Sequence, residues 1–105
     1  MKATTKQWQV GIIMETTRSI LRVVDNNPRL FPSSGKSLDD ITHEGEGEFN
    51  QALVALRDPV LGDVASAVTK SRGFIEKVRR GGYRDAAQVY MQKFEDALRE
   101  SPHFA

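Results

Sequence analysis

The sequence predicts an all-α domain, a small four-helix bundle or irregular helical array, on three observations. Apolar residues recur at three- and four-residue steps in four separate stretches. No stretch sustains the apolar–polar alternation of a half-buried strand. Proline and glycine fall where the periodic stretches stop, at Pro28, Pro59, Gly81-Gly82 and Pro102. The 105 residues suit one domain spanning 1–105, and a 39% hydrophobic, 28% charged composition suits a chain that buries a core.

The first helix is expected from Thr5 to Val24, capped by Thr4 or Thr5 and stopped by Asp25-Asn26-Asn27-Pro28. Val10, Ile13, Thr17, Ile20 and Val24 form its seam, widened by Met14 and Leu21. Trp8, Ile12 and Val23 fall on roughly the opposite face, so the helix is apolar on two sides.

A long, partly ordered connection is expected from Asp25 to Glu48. Leu30-Phe31-Pro32 offers a hydrophobic anchor, and Ser37-Leu38-Asp39-Asp40 resembles a capping box opening a short helix through Ile41 and Thr42. The second main helix is expected from Glu46 to Arg57, with Phe49, Ala52, Leu53 and Leu56 inward. Asp58-Pro59 reads as the start of the third helix, which runs to Arg80 with Leu61, Val64, Ala65, Val68, Ile75 and Val78 along one stripe. Gly81-Gly82 ends it. The fourth runs from Arg84 to Glu100, with Tyr83, Ala87, Tyr90, Met91, Phe94 and Leu98 at the helical period.

Several chemistries are excluded or unsupported. The chain has no cysteine, hence no disulfide, thiolate zinc site or cysteine nucleophile. Its first residues hold no apolar run long enough for a signal peptide or a span, so a cytoplasmic location with no membrane contact is expected. Ser34-Gly35-Lys36-Ser37 looks like the end of a P-loop, but Leu30 stands where the first glycine belongs and no strand precedes it. Asp39, Asp40, His43, Glu44, Glu46 and Glu48 cluster without the ligand spacing of a calcium loop. His43 and His103 lie in the connection and near the end of the chain, without a nucleophile motif. No enzyme, cofactor, metal site or small-molecule substrate is therefore expected.

Charge is laid out in blocks. Up to Lys36 there are six bases and two acids, from Leu38 to Asp63 one base and seven acids, and from Val64 onward eight bases and five acids. The simplest explanation is that the acidic middle packs near the basic ends and cancels them. The alternative is that one block faces a partner.

Two surfaces follow. Trp8, Ile12 and Val23 form a face suited to a protein partner or self-association, unless Leu30 and Phe31 fold back over it. Lys70, Arg72, Lys77, Arg79, Arg80, Tyr83 and Arg84 form a basic cluster suited to nucleic acid or an acidic partner, with Phe74 and Tyr83 available for base stacking. That cluster reads either as one continuous helix or as a degenerate helix-turn-helix breaking near Thr69, with Arg72 close to the middle of the apolar stripe. The leading expectation is a small non-enzymatic helical protein-interaction module: an adaptor, regulator, inhibitor or accessory factor. The alternative is a nucleic-acid-binding protein using residues 70–84.

Overall fold

The computed structural model describes residues 5–60 and 62–104. Its elements are α1 (Thr5–Asn26), α2 (Leu38–Arg57), α3 (Val64–Arg80) and α4 (Arg84–Glu100), and there is no strand among the described residues. The Thr4 cap and the inward Leu61 expected from sequence lie outside the described residues.

The long connection expected over 25–48 is corrected to the span between Asn26 and Leu38. The capping box is real: Ser37 Oγ accepts from Asp40 N at 3.3 Å and Asp40 Oδ2 accepts from Ser37 N at 3.4 Å. It opens the whole of α2 rather than one short turn, because Ile41, Phe49, Leu53 and Leu56 lie on one face and all are buried. Gly45 stands between Ile41 and Phe49 at four-residue steps on that face. A Cβ there would lie 2.7 Å from the Phe74 ring, so its missing side chain lets α2 and α3 meet closely. Gly45 and Gly47 look like breakers, but here the burial gained on both sides outweighs about 1 kcal/mol of propensity lost per glycine.

The start of α3 is corrected as well. Asp58 closes α2, and its Oδ1 accepts from Val60 N at 2.8 Å. The N-cap is Asp63, whose Oδ1 accepts from Ser66 N at 2.9 Å. From there α3 runs unbroken through Thr69, Arg72 and Gly73, so no helix-turn-helix break exists. Its core face is turned from the expected stripe: Ala67, Ser71, Phe74, Ile75 and Val78 are buried, Val64 and Val68 half-buried and Ala65 exposed. Phe74 sets this rotation by joining Phe49 and Tyr90 in a ring cluster with centroids 4.8–5.2 Å apart. Ser71 is tolerated in the core because its hydroxyl donates to Ala67 O at 2.8 Å. Gly82, at φ 90°, takes the left-handed position that ends α3, with Tyr83 N donating to Val78 O and Gly82 N to Arg79 O.

α1 buries Val10, Met14, Thr17, Leu21 and Val24, while Ile13 and Ile20 of the expected seam lie at its edge, half-buried. All five buried residues belong to the expected seam as widened by Met14 and Leu21, and a small rotation moves Ile13 and Ile20 to its margin. α1 packs on α3 and α4, α2 also packs on both, and no Cα of α1 comes within 8 Å of one of α2. The cross-section is thus a flattened rhombus, with α3 and α4 on the short diagonal and α1 at a far corner; the particle measures 41 × 30 × 19 Å. Leu21, Arg22 and Asp25 line a groove with Gln88 and Met91, and Lys6, Gln7, Val10 and Gly11 line another with Glu95 and Arg99. α1 therefore runs antiparallel to α4 and parallel to α3, whose far end it meets through Asp25 and Arg79. Among the described residues no helix is long and apolar enough to cross a membrane.

Candidate contact surfaces

The basic cluster is mostly neutralised within the chain. Lys70 lies 3.8 Å from Glu48, Lys77 3.2 Å from Glu44 and Arg84 3.6 Å from Asp25. Arg79 grips Asp25 through two nitrogens and Arg80 pairs with Glu76. Glu44 is shared with Lys36 at 2.6 Å, and these two cations hold its carboxyl below the usual carboxylate range. Glu48 and Glu44 come from the acidic middle block, so that block does cancel part of the basic one. Phe74 is buried in the core and is not available for base stacking. Tyr83 is half-buried, its hydroxyl donating to Lys36 O at 3.1 Å. The Arg72 side chain is half-buried like that of Arg79, but its Nε is buried with no hydrogen-bond partner among the described residues.

Asp25 carries the strongest of these contacts, tying the end of α1 to the end of α3 and the start of α4. Its hydrogen bond from Arg79 lowers its pKa from the ordinary 3.8, against an opposing push from burial, and Arg84 adds to the lowering. Protonation therefore opposes folding: the contribution is complete above about pH 3.8 and is lost as pH falls through the lower folded value. Thermal unfolding from pH 6 down to pH 2 is expected to show wild type losing more stability than Asp25→Asn below pH 4. The difference is at most about 1 kcal/mol for so screened a pair. Parallel decline of the two proteins contradicts this role.

The acidic residues of α2 are spoken for differently from a metal site. Glu46 Oε2 accepts from the Tyr90 hydroxyl at 3.1 Å, and burial, aided by Glu46, pushes the Tyr90 phenol up. No group of three or more His, Asp or Glu is placed to hold a metal ion among the described residues. His103 Nε2 is bonded to Asp58 O at 2.6 Å and His43 is exposed.

The outward face of α1 is uncovered. Trp8 is 63% exposed, Ile12 47% and Val23 51%. The Leu30–Phe31 segment does not fold back over them: Leu30 is 74% exposed, and Phe31 lies under the Arg80 guanidinium at 4.8 Å, at the end of α3. Around the helix from Trp8 through Ile12, Val23 and Thr16 to Ile20 and Ile13, no residue is charged. Thr16 bonds its hydroxyl back to Ile12 O at 2.8 Å, which meets its own polar need. The charges of this helix keep to the other flank, where Glu15 lies 3.9 Å from Arg18 and 3.6 Å from Arg22. Ile13, Thr16 and Ile20 belong to this face although sequence periodicity assigned Ile13 and Ile20 to the core. The signal that marks them is the absence of charge across this part of the wheel.

No protein-family model, curated protein or solved structure matches the chain. One further concavity, a groove of about 570 Å³ between α1 and α4, has Val10 and Met14 among its lining and Lys6, Arg18 and Arg99 beside them. Arg99 is occupied by Glu95 at 2.6 Å.

Proposed function

We propose that this chain is a small non-enzymatic protein-interaction module that docks a protein partner on the outward face of α1. The observation that carries the reading is an uncovered, charge-free helix face presenting Trp8, Ile12 and Val23. Charged residues cost little on a solvated helix and normally occupy that side, so an apolar exposed face is better accounted for by a partner. Tryptophan is the residue most favoured at the centre of such contacts. The α3 cations support this reading over nucleic-acid binding, because phosphates would have to displace carboxylates already in place.

Trp8→Ala is expected to leave folding stability within about 0.5 kcal/mol, since the ring is mostly in water. The same substitution should lower partner affinity at least tenfold, as an aromatic hot spot contributes about 2 kcal/mol or more. Pull-down from native-host extract and sedimentation of the pure chain, each with wild type and Trp8→Ala, measure this. Equal recovery and equal sedimentation for both proteins contradict the reading.

A further inference from the structure

We infer that α1 is a hinged arm, which opens as a unit from its seat on α3 and α4 by turning about residues 27–29 while α2, α3 and α4 stay folded. Opening uncovers a second apolar stripe of α1, Val10, Met14, Leu21 and Val24, together with the seat beneath it. This motion involves the buried side of α1 and is independent of what docks on the outward side.

The seat is the first ground. α1 lays no aromatic ring into the core, and one of its five buried residues is Thr17. The Thr17 hydroxyl donates to Ile13 O at 2.8 Å, so that bond stays within α1. A groove of about 570 Å³ remains between α1 and α4 beside Val10 and Met14, and a Cβ on Gly11 in its wall would meet nothing within 4 Å. Where α2 meets α3, by contrast, a Cβ on Gly45 would lie 2.7 Å from Phe74. Side chains along a gap lack partner atoms on one side, so α1 gains less from its seat than α2 gains from its own.

Arg72 is the second. It stands seven residues before Arg79, about 700° of helix and so within about 20° of two full turns. Arg79 holds Asp25 of α1, so Arg72 is on the side of α3 that faces α1. Its Nε is buried with no hydrogen-bond partner among the described residues. Such an N–H costs the closed form free energy that water returns when α1 leaves, so the seat is biased toward release.

The ties are the third. Among the described residues, the ion pairs that join α1 to other helices are those of Asp25 with Arg79 and Arg84, in its last turn. Glu15 pairs with Arg18 and Arg22 of α1 itself. α2 is fastened along its length: Glu44 to Lys77, Glu48 to Lys70, Glu46 to the Tyr90 hydroxyl and Arg57 to Glu100, with Phe49 in the ring cluster. The connection belongs to that side as well, with Phe31 under Arg80 and Lys36 O accepting from the Tyr83 hydroxyl at 3.1 Å. The backbone left to turn is residues 27–29, a few positions just past a helix end, as hinges commonly are. Asp25, beside them, is the latch.

Amide exchange of the intact chain, followed residue by residue by NMR near neutral pH with no partner present, tests the hinge. The central amides of α1, residues 14–21, are expected to exchange at one common rate. That rate should be roughly a hundredfold or more above that of the slowest amides in 53–56, 75–78 and 94–98. Phe74→Leu separates opening from unfolding. It weakens the α2–α4 core equally in the closed and the open form, so it should speed the slow amides by about tenfold and leave those of α1 unchanged. Asp25→Asn undoes the latch and should speed α1 by roughly two- to fivefold. Arg72→Met removes the N–H and keeps most of the stem, and should slow α1 by roughly threefold or more. α1 amides that exchange no faster than those of the other helices, or that speed up in step with them in Phe74→Leu, overturn the hinge. Faster α1 exchange in Arg72→Met overturns it too, because Arg72 would then be holding α1 down. Should a variant fail to fold, the wild-type rates alone decide, since one unfolding event shared by all four helices leaves no gap between them.

Discussion

Phe74→Ala is expected to destabilise the fold by about 3–5 kcal/mol, the range for truncating a buried aromatic residue. Phe74 is 6% exposed and packs against Phe49 at 5.0 Å and edge-to-face against Tyr90 at 4.8 Å between centroids. Its removal strips one wall from α2, α3 and α4 at once, and Gly45 opposite has no side chain with which to close the void. Denaturant unfolding followed by circular dichroism measures the loss. A cost below about 1 kcal/mol would show that the ring cluster is not what joins the three helices.

Gly45→Ala is the second large effect and has the less intuitive sign. On an isolated helix it adds about 1 kcal/mol. Here the new Cβ would lie 2.7 and 2.8 Å from two ring atoms of Phe74, a ring fixed by Phe49 and Tyr90. Overpacking of that kind costs about 1–3 kcal/mol, so a net loss of roughly 1 kcal/mol or more is expected. Gly47→Ala is expected to gain up to about 1 kcal/mol, because a Cβ there meets nothing within 4 Å. In a Phe74→Ala background the sign at Gly45 should reverse, with alanine now stabilising by about 1 kcal/mol. Calorimetry of the four proteins in this cycle decides it. A gain from Gly45→Ala with Phe74 intact would show that the close approach is not sterically limiting.

These two residues also explain which parts of the fold were legible in the sequence. The helical class, four helices and the ends of α1, α2 and α4 followed from periodicity and stop signals, to within two residues. The capping box and the first turn of α2, through Thr42, followed as well; its continuation to Glu46 did not, because glycine at 45 and 47 carries a local signal for a loop. The reason for glycine at 45 is the ring of Phe74, 29 residues away. Asp58-Pro59 failed in the opposite sense: a good local cap was present, yet the chain used Asp63, and the carbonyl of Asp58 is held by His103 from the far end of the chain. Arg72 shifted from the middle of the expected stripe to its flank once Phe74 turned α3. The outward placement of Trp8, Ile12 and Val23 needed only the helical period. Whether Leu30 and Phe31 covered them was a tertiary fact, settled by the docking of Phe31 under Arg80.

The central claim is that the outward face of α1 is a docking surface and not just exposed apolar area. Val54 on α2 is a fitting control, being 59% exposed against 47% for Ile12 and also aliphatic. A photoreactive benzoylphenylalanine placed at position 12 or at position 54 of the full chain, irradiated in the native host and read by mass spectrometry, tests the claim directly. A defined adduct to one polypeptide from position 12, absent from position 54, is the predicted result. Equal, diffuse labelling from both positions, or an adduct from position 54 alone, would contradict it.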